Sequence, residues 1–121
     1  MRTYKLYATA LTNSAATVTI QRSGRIKSIR WSITVNDTTD NHTLYSELST
    51  TNVSQYNVND TLNALDQVNL TNNIGAAGAI ESCVQKQCLM DYPVVAGERL
   101  YINNQGDVSA CVVTCFVDVQ D

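Results

Sequence analysis

The stretch Ser28-Ile29-Arg30-Trp31-Ser32-Ile33-Thr34-Val35 alternates apolar and polar residues without a break. Ile29, Trp31, Ile33 and Val35 share one side, and Ser28, Arg30, Ser32 and Thr34 share the other. A period of two is the signature of a strand with one face buried; a helix would scatter the four apolar side chains around its circumference. The first set is therefore expected in a core, and the second exposed or at an interface. Trp31 is the one tryptophan. Its place inside the apolar set makes it a core anchor rather than a ligand-stacking platform.

The same period recurs near the C-terminus, where Cys111, Val113, Cys115, Val117 and Val119 alternate with polar and larger residues. The amino-acid balance agrees with strands: 14 Thr, 13 Val, 12 Asn and 9 Ser stand against 3 Lys and 3 Glu. β-Branched residues fit a pleated, half-buried surface, whereas a helical bundle would be rich in Ala, Leu, Glu and Lys. A hydrophobic fraction of 44% with a net charge of −3 excludes intrinsic disorder. At 121 residues there is room for one core and not for two. The reading is a single all-β domain over residues 1–121.

Strands are expected at residues 2–11, 17–22, 25–35, 42–49, 81–90, 99–103 and 109–119. Ser23-Gly24 and Gln105-Gly106 each sit between two alternating runs and read as hairpin turns. Residues 57–70 are ambiguous: Asp60 caps a short helix there, or the segment is a loop with a brief strand. About seven or eight strands with short turns fit an antiparallel, jelly-roll-like β-sandwich.

The four cysteines invite a zinc or disulfide reading. Cys111 and Cys115 lie four residues apart on a strand, about 13 Å, too far to share one zinc or to bond to each other. They read as small core residues beside Val113 and Val117. Cys83 and Cys88 are less constrained. A local disulfide, a bridge to the last strand and free thiols all remain open, with free thiols the default in a reducing cytosol. Such a compartment is expected because the chain starts at Met1 with no apolar signal segment and reads as complete. Five Asn-x-Ser/Thr sequons, at Asn36, Asn41, Asn52, Asn59 and Asn69, then reflect an Asn/Thr-rich stretch rather than glycosylation. No apolar run is long enough to span a membrane.

Little here performs chemistry. His42 is the only imidazole, which leaves no second His for a common catalytic zinc site, and no G-x-S-x-G elbow occurs. The glycines of Ile74-Gly75-Ala76-Ala77-Gly78 lack phosphate-loop spacing. The oxygen-rich turn from Asn36 to Asn41 lacks the Gly and Glu of an EF-hand and reads as an Asx turn. The chain is expected to be no enzyme, with no catalytic residue, no cofactor and no metal.

Charge is divided along the chain. The first 35 residues hold Arg2, Lys5, Arg22, Arg25, Lys27 and Arg30 and no acid, whereas all eleven acids lie beyond them with only Lys86 and Arg99. Because the bases alternate with apolar residues instead of forming a run, nucleic-acid binding is not expected. Head-to-tail assembly is the sharper possibility, with Arg22, Arg25, Lys27 and Arg30 of one copy facing Asp37, Asp40, Asp60 and Asp66 of the next. A rival reading uses the six tyrosines (Tyr4, Tyr7, Tyr45, Tyr56, Tyr92 and Tyr101) with neighbouring Asn and Thr as a carbohydrate- or receptor-binding face.

Four segments follow one another in a familiar order. They are Gly24-Arg25-Ile26-Lys27-Ser28-Ile29-Arg30-Trp31, Ser46-Glu47-Leu48-Ser49, Val95-Ala96-Gly97-Glu98-Arg99-Leu100-Tyr101 and Phe116-Val117-Asp118-Val119. Together they resemble the small virion-associated β-sandwich proteins of bacteriophages, over most of residues 17–119. The resemblance implies a jelly-roll-like fold and a virion setting, with synthesis in a host cytoplasm. Its implied partners are copies of the chain itself and other virion proteins, and a host-surface glycan is a further candidate. The expected function is that of a non-enzymatic capsid, decoration, spike or tail-associated protein.

Overall fold

The computed structural model describes residues 1–9, 15–37, 42–50, 64–72, 80–106 and 111–121. Eight strands run in chain order: β1 (Arg2–Thr9), β2 (Ala15–Thr19), β3 (Gly24–Asp37), β4 (His42–Ser49), β5 (Ala64–Asn72), β6 (Ile80–Val94), β7 (Arg99–Gly106) and β8 (Cys111–Gln120). They form two antiparallel four-stranded sheets, ordered β1-β8-β3-β6 and β2-β7-β4-β5. The chain changes sheet at every connection except β4 to β5, which gives the eight-stranded jelly roll.

This topology corrects the two expected hairpins. β2 and β3 lie in different sheets, as do β7 and β8, so neither Ser23-Gly24 nor Gln105-Gly106 closes a hairpin. At the first corner the end of β2 pairs instead with the turn between β6 and β7. Ile20 N donates to Glu98 O and Gly97 N donates to Ile20 O, both at 2.8 Å. Ala96 N donates to Ser23 Oγ at 3.0 Å, so the two connections brace one another. Within that turn Glu98 N donates to Val95 O at 3.0 Å, and Gly97 adopts a φ of 95°, which an L side chain avoids. Gly24 answers a different need: a Cβ there would meet the carbonyl oxygen of Gln120 at 2.5 Å, because β8 ends against the start of β3.

Residues 64–72 form β5, so that half of the ambiguous segment is a strand rather than a helix. Asp60 lies outside the described residues.

The alternation seen in β3 and β8 sets the core. Ile29, Trp31, Ile33, Cys111, Val113, Cys115 and Val117 are all buried, together with Leu6, Leu44, Leu48, Leu100 and Ile102. The side chain of Val35 lies outside the described residues. Across the inner face of the first sheet the register builds a row Leu6, Cys115, Trp31, Lys86. A matching row in the second sheet runs Ala16, Ile102, Leu48, Asp66. Each row ends in a charge, and the two charges meet.

Candidate functional site

Lys86 and Asp66 stand at the ends of these rows, on the edge strands β6 and β5. Lys86 Nζ donates to Asp66 Oδ1 at 2.7 Å and to the Gln67 carbonyl at 2.6 Å. Trp31 Nε1 donates to Asp66 Oδ2 at 2.7 Å. The Asp66 side chain is 8% exposed and that of Lys86 40%. The ion pair thus closes the open side of the sandwich with the lysine stem over the core and its head near water. This corrects the placing of Asp66 among surface acids that face a neighbour: it is a strand residue, turned inward and paired within its own chain. Beneath it, burial pushes the Cys115 thiol well up, and the charge of Asp66 adds to the shift. A thiol so disfavoured as thiolate is a packing residue, not a nucleophile.

The outer face of the first sheet is built from three cross-strand rows. One reads Thr3, Asp118, Ser28, Leu89; the next Lys5, Phe116, Arg30, Gln87; the third Tyr7, Thr114, Ser32, Gln85. Asp118 gathers four donors: Thr3 Oγ1 at 2.6 Å, Ser28 Oγ at 2.5 Å, Arg30 Nε at 2.8 Å and Arg30 Nη2 at 2.9 Å. Burial alone would raise this carboxyl. The hydrogen bonds from Arg30, Ser28 and Thr3 and the Arg30 charge outweigh it and hold the carboxyl at about 2. Ser28, expected to be exposed or at an interface, is buried by this network within its own chain. Arg30 is further fixed by stacking, its guanidinium carbon 5.0 Å from the centre of the Phe116 ring.

Beside Arg30 the small Ser32 sits among longer neighbours and leaves a groove of about 360 Å³. Arg30, Ser32, Gln85, Gln87 and Phe116 line it from the outer face, with Trp31 and Lys86 contributing from below.

Arg22, Arg25 and Lys27 also have acids in their own chain. Arg25 Nε and Lys27 Nζ both donate to Asp91 Oδ1, at 2.5 and 3.0 Å, and Arg22 Nη1 lies 3.4 Å from Asp121 Oδ2. The structure therefore gives Arg22, Arg25, Lys27 and Arg30 intrachain partners that the division of charge along the sequence concealed. Asp37 ends β3 with its side chain outside the described residues, and Asp40 lies outside them altogether.

The tyrosines do not form one face. Tyr4 is in the core with its hydroxyl accepting from Gln21 N at 3.0 Å, whereas Tyr7 is exposed on the first sheet beneath Lys5. Tyr92 lies on β6, Tyr45 and Tyr101 lie on the second sheet, and Tyr56 is outside the described residues. Cys88 and Cys115 are free thiols, so Cys88 enters neither of the disulfides left open for it; the side chain of Cys83 lies outside the described residues. His42 begins β4 with its side chain likewise outside them. Among the described residues no group of three or more His, Cys, Asp or Glu could hold a metal ion, and no helix is long and apolar enough to cross a membrane.

No family model matches the chain, and no curated protein matches it in sequence. Among solved structures it is similar to a chain of tomato aspermy virus, with a TM-score of 0.53 at 11% identity over 99% of this chain and 77% of the other. The tripod from the baseplate of bacteriophage Tuc2009 follows at 0.47 and 6%, over 98% and 64%. The C-terminal CBM6 of LamC, a marine laminarinase of Zobellia galactanivorans, stands at 0.42 and 9%, over 97% and 100%. At these identities the likeness is one of fold, and it is carried by the tomato aspermy virus chain.

Proposed function

We propose that this chain is a non-enzymatic structural protein of a virion, in a capsid, decoration, spike or tail-associated position. It works by associating with copies of itself into a symmetric oligomer or lattice. The observation that carries this reading is the jelly-roll strand order, in a fold like that of the tomato aspermy virus chain. The sequence resemblance to bacteriophage virion proteins points the same way. The intrachain pairing of Arg22, Arg25, Lys27 and Arg30 bears on mechanism. Charges already matched at home leave surfaces that cost less to desolvate in repeated contacts, so the subunits meet through sandwich edges and neutral faces.

The test is the native mass of the chain, by sedimentation and light scattering at rising concentration in low and high salt, with co-sedimentation on purified particles. A multiple of 13.3 kDa that survives high salt is expected. Dissociation in high salt would instead restore steering by the basic residues. A strict monomer at high concentration that does not travel with particles would overturn the proposal.

A further inference from the structure

The polar groups of the groove beside Arg30 are of two kinds. Both cations that reach it are committed: Arg30 holds Asp118 with two hydrogen bonds, and Lys86 holds Asp66. The neutral groups are not. The side chains of Gln85, Gln87 and Ser32 make no hydrogen bond among the described residues, and both glutamines are exposed. The groove therefore offers two amides and a hydroxyl with no uncompensated charge.

That combination selects by chemistry. A phosphate, a sulfate or a nucleic-acid backbone needs a cation to spare, and each cation here faces a carboxylate at hydrogen-bond distance. A neutral polyol needs groups that both donate and accept at a spacing set by adjacent hydroxyls, together with a flat apolar surface for its C–H face. Each glutamine amide supplies two donors and an acceptor, and the Ser32 hydroxyl does both. Phe116, with the Arg30 guanidinium 5.0 Å from its ring centre, supplies the flat wall. The wall is held before any ligand arrives, because Arg30 is fixed by Asp118 and the floor is paired strand. The volume, about 360 Å³, lies at the small end of the range of small-molecule sites and suits one or two sugar rings.

We propose that the groove lined by Arg30, Ser32, Gln85, Gln87 and Phe116 binds a neutral saccharide. The site is built within one chain. The test applies the intact protein to a printed array of neutral, sialylated and sulfated glycans. Neutral glycans retained on the array are then titrated against the chain, with amide shifts followed by NMR.

Retention of neutral glycans is expected, with shifts centred on residues 30–32, 85–87 and 116. The double change Gln85→Ala, Gln87→Ala should weaken binding roughly tenfold, since two hydrogen bonds are lost. Ser32→Lys, which fills the groove from its floor, should abolish binding; melting temperatures matching the parent chain establish that both variants fold. The proposal is overturned if no neutral glycan is retained or if retention is confined to sialylated or sulfated glycans. Wild-type affinity in either folded variant would equally overturn it.

Discussion

Asp66 and Asp118 are both carboxylates on strands, both less than a tenth exposed, and both hold one cation and at least one neutral donor. They differ in what they join. Asp66 reaches from the second sheet to Trp31 and Lys86 of the first, so it ties one sheet to the other across the core. Asp118 draws Thr3 of β1 and Ser28 and Arg30 of β3 onto β8, so it ties three strands of a single sheet together. The same chemistry closes the sandwich in one place and stiffens a surface in the other. An acid's neighbours in space, not its sequence context, decide which of these it does.

Removing Asp66 breaks the comparison most severely. In Asp66→Ala the indole N–H of Trp31 loses its acceptor inside the core, and Lys86 loses its counter-ion. Loss of one partner of a buried pair costs about 3–5 kcal/mol. Lys86 is partly exposed and can turn to water, so the lower end, about 3 kcal/mol, is expected from urea unfolding at neutral pH. Asp66→Asn keeps an acceptor for Trp31 and should cost visibly less. A loss below about 0.5 kcal/mol in Asp66→Ala, the range of ordinary surface changes, would mean that the pair does not close the sandwich.

Asp118 sharpens the comparison through pH. Its carboxyl titrates at about 2 in the folded chain, against 3.8 for an unperturbed one. A depressed acid stabilises the fold above its unfolded value, and that contribution is lost as pH falls through the folded value. Stability should therefore drop by about 2 kcal/mol between pH 4 and pH 2 on account of this group. Urea unfolding across that window, with Asp118→Asn beside it, is the check. The variant should start less stable and lose less on acidification; parallel curves would assign the acid sensitivity to other groups.

How much of this could be read from the sequence follows from the range of the interactions. The alternation in β3 and β8 is local, and it placed Ile29, Trp31, Ile33, Cys111, Val113, Cys115 and Val117 inside without knowledge of the fold. Ser23-Gly24 misled because a hairpin and a corner between sheets use the same turn chemistry. Only the pairing of Ile20 with the Gly97 turn tells them apart, and those residues are far apart in sequence. Lys86 left a clue in β6, where Val84, Lys86, Cys88 and Met90 share a side by period two. A lone lysine in such a set requires an acid facing it. That the acid is Asp66 depends on the register of β5, which the ambiguous segment did not reveal.

The smallest effect is expected at Asp91, which is paired with two cations. Arg25 and then Lys27 hold its carboxyl below the usual range by hydrogen bonding. Yet its side chain is 55% exposed, against 8% for Asp66, so water screens the pair and replaces the lost contacts when it is removed. Asp91→Ala should leave the melting temperature unchanged within error at both low and high salt. What it does change is charge: Arg25 and Lys27 become uncompensated on the surface. If subunits meet through neutral faces, the native mass should be unaffected, or slightly reduced by repulsion between copies. If bases instead seek acids on a neighbour, the same change should strengthen association, most of all in low salt. A substitution without effect on stability thus separates the two accounts of how the sandwich assembles, which neither Asp66 nor Asp118 can do, because altering either disturbs the fold that presents the surface.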